Sequence, residues 1–98
     1  MAGERTTFAF EGDIDLATAD AFQAQVRERL SGGPLLLDLR GVPYMDSSGV
    51  RVLSELMKDC ATHGWELGIC DDLQPGVRQV LELTGMTAVL PLERCPPA

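Results

Sequence analysis

Short apolar runs alternate with amphipathic helical segments along the chain, and this alternation constrains the fold more than any other feature. The sequence predicts four strands separated by three helices, with linkers of only a few residues. Strands joined through a helix run parallel, and such crossovers are right-handed in nearly all known proteins. We therefore expect one α/β domain over residues 1–98, with a mostly parallel, or else mixed, four-stranded sheet and about three helices. Residues 93–98 are expected to form a frayed tail.

Hydrophobic periodicity and turn residues set the expected boundaries. We expect Ile14 and Leu16 to prolong the first extended segment as far as Thr18, which would cap the first helix. Asp71 and Asp72 would cap the third helix, which places Pro75 in its first turn and ends at Gly85. The predicted strands cover residues 6–11, 35–39, 65–70 and 88–92, and the first two helices cover about 19–30 and 48–62.

Charge and cysteine content exclude several classes of function. The formal net charge of −7 argues against binding to nucleic acid or to an anionic membrane surface, because lysine and arginine carry such binding. The chain has no apolar run near the roughly 20 residues that a spanning helix needs, so we expect a cytoplasmic protein. Cys60, Cys70 and Cys95 have no C-x-x-C spacing, and we expect reduced structural thiols. His63 has no cysteine or histidine at ligand spacing, so we expect neither a metal nor a cofactor.

The most informative stretch is 42–50, where an apolar strand ends and an amphipathic helix begins with two hydroxyl groups between them. Ser47 or Ser48 is expected at or near the helix N-cap, at the carboxyl edge of a central strand where α/β proteins meet their ligands. A serine hydrolase is not supported, because G-x-S-x-G is absent and His63 lies roughly 20 Å along the same predicted helix. Phosphate-binding glycine loops are also absent. The residues therefore favour neither a serine hydrolase nor an enzyme with a phosphate-binding loop.

A serine at this position is suited to phosphorylation. A phosphate adds about −1.5 to −2 charges, and the free N–H groups of a helix N-terminus tolerate it. A partner packed over the junction would have to desolvate that charge, so its binding would be weakened. From residue chemistry alone, ordinary capping remains the simpler interpretation of both serines.

The segment Met45-Asp46-Ser47-Ser48-Gly49-Val50 resembles the STAS domain family, specifically the bacterial anti-sigma factor antagonists. Three further segments resemble that family in the same order: G-D-I-D-L-A-T-A at 12–19, L-L-L-D-L at 35–39 and P-G-V-R-Q-V-L-E-L-T-G at 75–85. The resemblance implies that Ser47 accepts a phosphoryl group from an anti-sigma factor of the serine kinase type. The unphosphorylated form would bind that factor and release a sigma factor, and a phosphatase would act on phospho-Ser47. The implied partner-binding residues are Asp46, Ser47, Ser48, Gly49, Arg51, Ser54 and Glu55.

Two departures from the family pattern leave an alternative open. Few residues precede the first strand, and the C-terminal helix of longer members is missing, which leaves a sheet edge for pairing with another chain. Short STAS proteins also resemble the small subunit that docks on the ATPase of phospholipid-transport ABC systems. The serine pair at 47–48 favours the sigma pathway. A stressosome-type scaffold usually carries an additional N-terminal domain.

Overall fold

The computed structural model describes residues 5–95, which form four strands, three α-helices and one short 3₁₀ helix. Within this range no helix is both long enough and apolar enough to cross a bilayer. The elements in order are β1 (Thr6–Glu11), α1 (Ala19–Leu30), β2 (Leu35–Gly41), α2 (Ser47–His63), β3 (Leu67–Cys70), α3 (Pro75–Leu83), the 3₁₀ helix (Met86–Ala88) and β4 (Leu92–Glu93).

The four strands form one parallel sheet in the order β1-β2-β3-β4. This confirms the predicted α/β class, and the described sheet is parallel throughout rather than mixed. Because each crossover steps to the next neighbour in the same direction, right-handed connections bring the helices to one face of the sheet. The core shows this arrangement, since Leu35, Leu37 and Leu39 of β2 join a single apolar cluster with all three helices.

Each helix contributes a stripe of residues spaced three or four apart to this core. Burying these side chains is the main stabilising contribution to the fold, at roughly 1.5–3 kcal/mol for each large aliphatic group. The ring of Phe10 meets that of Phe22 edge to face at 4.8 Å, which fastens α1 to β1. The buried helical residues are Ala19, Phe22, Val26 and Leu30 of α1, Gly49, Val52, Leu53 and Leu56 of α2, and Val77 and Leu81 of α3.

The segment between β1 and α1 differs from the prediction. Leu16 lies in a turn rather than in an extended segment, because the Asp15 carboxylate accepts the N–H groups of Ala17 (2.9 Å) and Thr18 (3.1 Å). This is an Asx turn, in which the side chain replaces a backbone partner. Thr18 occupies the N-cap position, yet its hydroxyl accepts from the Asp15 N–H and makes no cap hydrogen bond to α1.

Several boundaries in the second half of the chain are also corrected. Gln74, and not Asp71 or Asp72, is the N-cap of α3, although Pro75 is at its first position as predicted. The strand expected from residue 65 begins at Leu67, because Trp65 instead stacks on His63 with ring centroids 4.4 Å apart. The strand predicted over 88–92 is reduced to Leu92–Glu93, since Met86–Ala88 forms a 3₁₀ helix.

Two predictions about the C-terminal part of the chain are wrong. Cys70 and Cys95 are not reduced thiols, and residues 93–95 are not a frayed tail. Cys70 and Cys95 form a disulfide with Cα atoms 5.0 Å apart, and Cys60 remains free. Glu93 belongs to β4, where it pairs with Cys70, and its carboxylate forms an ion pair with Arg5. These residues are therefore part of the folded sheet. Residues 96–98 of the predicted tail lie outside the described residues.

Candidate functional site

Two loops at the carboxyl edge of the sheet are joined by backbone hydrogen bonds directly before α2. Ile14 and Met45 form an isolated parallel bridge. The Ile14 N–H donates to the Tyr44 carbonyl (3.0 Å), and the Asp46 N–H donates to the Ile14 carbonyl (3.2 Å). The side chains of Ile14 and Met45 are buried, so the bridge is shielded from water. The position at which α2 begins is therefore fixed by the loop between β1 and α1 as well as by the end of β2.

Asp46 caps α2 and sets the positions of the two serines. Its carboxylate accepts the Ser48 N–H at 2.8 Å, and its carbonyl accepts the N–H groups of Gly49 and Val50. The predicted site thus lies near the N-cap, but neither serine is the cap: Ser47 and Ser48 are the first and second helical residues. Ser47 is exposed, whereas Ser48 is half-buried. Within residues 5–95 the Ser47 hydroxyl makes no hydrogen bond, so it is available to an outside group.

Gly49 allows the start of α2 to pack closely against the loops of Ile14 and Met45. A Cβ at this position would lie 2.5 Å from Met45 Cγ, which is closer than real contacts allow, and 3.0 Å from Ile14 Cγ2, which is a tight contact. The absence of a side chain thus lets the first turn of α2 pack directly on the bridged loops. Because Gly49 is buried, it does not line the surface, which corrects its expected part in contacting a partner.

The other predicted residues share one accessible region of α2. Ser47, Arg51 and Glu55 are spaced four apart, so they lie one above another on the same helix face. Asp46, Ser48 and Ser54 flank this row and are half-buried. We call the surface formed by these six residues the α2 face.

Two charged residues of the α2 face, Arg51 and Glu55, are already paired with each other and with side chains of α1. The Arg51 guanidinium lies 3.5 Å from the Asp20 carboxylate and 3.3 Å from that of Glu55. Glu55 also accepts from the Gln23 side chain at 2.8 Å. The pKa of Glu55 is lowered first by that hydrogen bond and then by Arg51. Arg51 therefore sits one turn from Ser47 as a charge that could change partners.

Two apolar side chains beside the α2 face were not predicted from the sequence. Leu16 is 81% exposed in the β1–α1 loop, and Tyr44 is 51% exposed three residues before Ser47. The hydrogen-bonded bridge between Ile14 and Met45 brings their loops together. The sequence signal was present, since an aspartate on each side of Ile14 allows a turn, but it was interpreted as a strand.

Other chemistry has less support in the described residues. Ser47 and His63 are at opposite ends of the 17-residue α2, roughly 24 Å apart along the helix axis at about 1.5 Å rise per residue. Asp38, Cys70 and Cys95 bring three potential ligand atoms within 4.8 Å of one another. However, the sulfurs are bonded to each other and the Arg40 guanidinium holds Asp38, which keeps the pKa of that carboxyl below its usual value.

A cavity of about 420 Å³ opens at the other edge of the sheet, remote from Ser47. It lies where α1 and α2 end and where β2 and β3 begin. Its lining combines glycines with Leu30, Pro34, Trp65 and Glu66. The lining offers one carboxylate, Glu66, and one hydroxyl, that of Ser31, which donates to the Glu28 carbonyl and not to a base, so it does not form a catalytic arrangement.

The family model for the STAS domain matches residues 3–95. A Bordetella bronchiseptica protein named as the anti-sigma factor antagonist BtrV is 30% identical over 84 residues, which cover 84% of this chain and 72% of that protein. The anti-sigma F factor antagonist of Paenibacillus polymyxa is 29% identical, and the alignment covers 83% and 71% of the two chains.

Solved structures share the fold at lower identity. An anti-sigma factor antagonist from Mycobacterium paratuberculosis superposes with a TM-score of 0.79 at 22% identity, covering 97% of this chain and 81% of the other. The anti-sigma factor antagonist SpoIIAA in its unphosphorylated form gives 0.74 at 17% identity, covering 95% and 81%. The chain therefore belongs to the STAS domain family and groups there with the anti-sigma factor antagonists.

Proposed function

We propose that this chain binds an anti-sigma factor of the serine kinase type through the α2 face, and that phosphorylation of Ser47 by that factor abolishes binding. The unphosphorylated chain would hold the anti-sigma factor and free its sigma factor. A phosphatase acting on phospho-Ser47 would restore the binding form. The kinase activity, its ATP and its magnesium belong to the partner, so the chain is a substrate and not an enzyme.

The observation that carries this proposal is the position of the Ser47 hydroxyl. It is exposed, unbonded within the described residues, and held at the first position of a helix whose start is fixed by the Ile14–Met45 bridge. A kinase can reach such a hydroxyl without unfolding the domain. The helix N-terminus tolerates the added anion, so the interior should change little.

The switch itself is electrostatic. A partner carboxylate about 4 Å from the phosphate would be repelled by about 4 kcal/mol per unit charge at an effective dielectric near 20. This repulsion would lower the affinity for the partner about a thousandfold, and the cost of desolvating the phosphate would lower it further. Asp46 lies directly before Ser47 and adds a like charge, whereas Arg51 is four residues further along and can pair with the phosphate. A shift of Arg51 away from Glu55 would also alter the surface that the partner meets.

The relatives support the same conclusion at a coarser level. Two of them carry the name of anti-sigma factor antagonist, and the SpoIIAA structure is described as the unphosphorylated form, which identifies phosphorylation as a variable of that protein. The resemblance of residues 45–50 to the family is the reason for proposing Ser47 as the phosphorylated residue of this chain.

The test is phosphoryl transfer followed by binding. Incubation with serine-kinase anti-sigma factors of the source organism and Mg-ATP should add about 80 Da, the mass of one phosphoryl group, at Ser47. Ser47→Ala should remain unmodified, and Ser48→Ala, the matched control, should still be phosphorylated. The Ser47→Asp variant should bind the anti-sigma factor at least tenfold more weakly than the wild type, while Ser47→Asn, which has the same size without the charge, should bind more tightly than Ser47→Asp.

Two results would contradict the proposal. The first is full binding by both the phosphorylated chain and Ser47→Asp. The second is a stable complex with a phospholipid-transporter ATPase that is indifferent to Ser47 phosphorylation, which would assign the chain to the transporter subunits instead.

A further inference from the structure

On the sheet face opposite the helices, the part formed by β2 and β3 is buried without a helix over it in the described part of the chain, whereas Thr7 and Ala9 of β1 are exposed there. Leu36 is 2% exposed and Cys70 is fully buried, yet neither belongs to the apolar cluster on the helical side. Leu36 pairs with Gly68 across β2 and β3, so these residues and Cys70 point to the same, opposite face. Something other than a helix must exclude water there.

Over Gly68 and Cys70 the cover is provided by the segment 91–95, which we call the strap, together with the Arg5 side chain. The backbone of the strap is held to β3 by the Ile69 N–H, which donates to the Pro91 carbonyl, and by the Asp71 N–H, which donates to the Glu93 carbonyl, both at 2.9 Å. The Glu93 side chain crosses above Gly68, where a Cβ would collide with it, and meets Arg5 at 2.9 Å. The last connection is the bond between Cys70 and Cys95.

Without that bond, the strap keeps two backbone hydrogen bonds to β3, the packing of the half-buried Leu92 against the apolar cluster, and the ion pair between Glu93 and Arg5. β4 has only two residues, and its ion pair with Arg5 is about one-third exposed, so water and salt weaken it. Segments held by a few exposed contacts open locally at a small fraction of the global unfolding free energy. The disulfide is therefore the connection that decides whether the strap stays closed.

We propose that Cys70 and Cys95 form a reversible thiol–disulfide exchange site whose reaction partners are low-molecular-weight thiols and disulfides, and that reduction releases the strap from the sheet. Cys95 is half-exposed and Cys70 is buried, so the incoming thiolate attacks the Cys95 sulfur. The Cys70–Cys95 bond breaks, Cys70 leaves as the thiolate and takes up a proton, and a mixed disulfide forms at Cys95. A second thiolate then attacks the sulfur of the small thiol, which forms the small disulfide and releases Cys95.

The surroundings favour the bonded form once the strap is closed. The Asp38 carboxylate lies within 4.8 Å of both sulfurs and disfavours a thiolate there, even though Arg40 partly neutralises it. The neutral disulfide carries no such cost. Cys60 provides a contrast in the same molecule: it lies on α2, has no cysteine partner, and burial raises the pKa of its thiol.

The test uses the full chain in glutathione buffers that range from reducing to oxidising, quenched with acid and labelled with N-ethylmaleimide after denaturation. One label is expected at the oxidising end, on Cys60, and three at the reducing end. In parallel, hydrogen exchange is measured at the amides of Ile69 and Asp71 and, as a control, of Leu53 and Leu56 in α2. Reduction should lower the protection of the first pair by at least tenfold more than that of the second.

Two variants make the outcome unambiguous. Cys95→Ser should show the reduced exchange pattern in every buffer, and Cys60→Ser should behave as the wild type but with one label fewer. Two or three labels at the oxidising end would overturn the proposal. So would an equal loss of protection at all four amides, because it would mean that reduction acts only through global stability.

Discussion

The N-terminus of α2 lies at the carboxyl edge of the sheet, whereas the strap lies beside β3 and reaches over the face opposite the helices, and the two regions are held in place by opposite means. The start of α2 is fixed by backbone hydrogen bonds between two loops and by the close packing that Gly49 allows. The strap is held by two backbone bonds, the packing of Leu92 against the core, one ion pair and a disulfide. The contacts of the first region are insensitive to redox conditions, whereas a disulfide responds to thiols and an exposed ion pair responds to salt.

This difference shows how a small domain can combine a fixed recognition surface with a removable cover. An exposed hydroxyl on a rigid helix end changes its charge without a change of fold. A cover held by a few contacts at the sheet edge can open while the core on the other face of the sheet stays packed. The predictions below test each side of this contrast.

The largest effect on stability is expected from the disulfide. It closes a loop of 25 residues, for which chain entropy predicts about 3 kcal/mol of stabilisation. Cys95→Ser should lower the free energy of unfolding in urea by about that amount, and a reducing agent should bring the wild type to the same value. Cys60→Ser, the control, removes a thiol without a partner and should cost less than about 1 kcal/mol. Equal wild-type urea midpoints with and without reductant would refute the expectation.

A smaller effect is expected at the apolar border of the α2 face. If Leu16 is buried by the anti-sigma factor, Leu16→Ala should weaken binding by about 2 kcal/mol, or about thirtyfold, in a calorimetric titration. Leu83→Ala is the matched control, because Leu83 is 80% exposed like Leu16 but lies at the end of α3. Neither variant should change stability by more than about 0.5 kcal/mol. Equal losses of binding in both would show that Leu16 is not a specific contact.

Alanine substitutions at Gly49 and Gly76 distinguish the effect of close packing on stability from the effect of helix propensity. Replacing a helical glycine by alanine should gain up to about 1 kcal/mol, whereas forcing a methyl group into a filled space costs about 1–3 kcal/mol. At Gly49 the methyl would meet Met45 and Ile14, so we expect a net loss of about 1 kcal/mol. At Gly76 its nearest neighbour would be the Pro43 carbonyl at an ordinary 3.5 Å, so we expect no loss or a small gain. Thermal unfolding of both variants would measure the difference, and a loss of similar size at Gly76 would count against close packing as the cause.

The elements that the sequence predicted well are those with strong periodicity. The helix α1 has its expected bounds, and the apolar run that starts at Leu35 is the buried strand β2. The position of Ser47 beside the start of α2 also followed from sequence, because a strand end and a helix start can be located from the residues alone. Local patterns determine these features, so no distant contact was needed to predict them.

The features that escaped prediction depend on contacts between distant residues or on side-chain competition. The ion pair between Arg5 and Glu93 joins positions 88 residues apart, and the disulfide closes over 25 residues. Cysteine spacing alone cannot specify such a pairing. At Asp46 and Ser47, two good cap residues stand in adjacent positions, and only the backbone conformation shows which of them is the cap.

The smallest effect is expected at the ion pair of the strap. Arg5 donates to Glu93 and lowers the pKa of that carboxyl, so the pair stabilises the fold fully above the unfolded pKa of about 4.3 and loses this contribution as the pH falls through the folded value. Because both side chains are about one-third exposed, the contribution should be only about 0.5 kcal/mol and should decrease with salt. Glu93→Gln should therefore lower stability at pH 7 by about that amount and not at pH 3, as measured by urea unfolding. The effect of Glu93→Gln should also depend on the redox state of the chain. In the oxidised chain the Cys70–Cys95 bond keeps Glu93 near Arg5 whether or not the ion pair forms. In the reduced chain the same substitution removes one of the few remaining attachments of the strap, so its effect on the exchange of the Asp71 amide should be larger there. An equal effect in both redox states would mean that the two connections act independently.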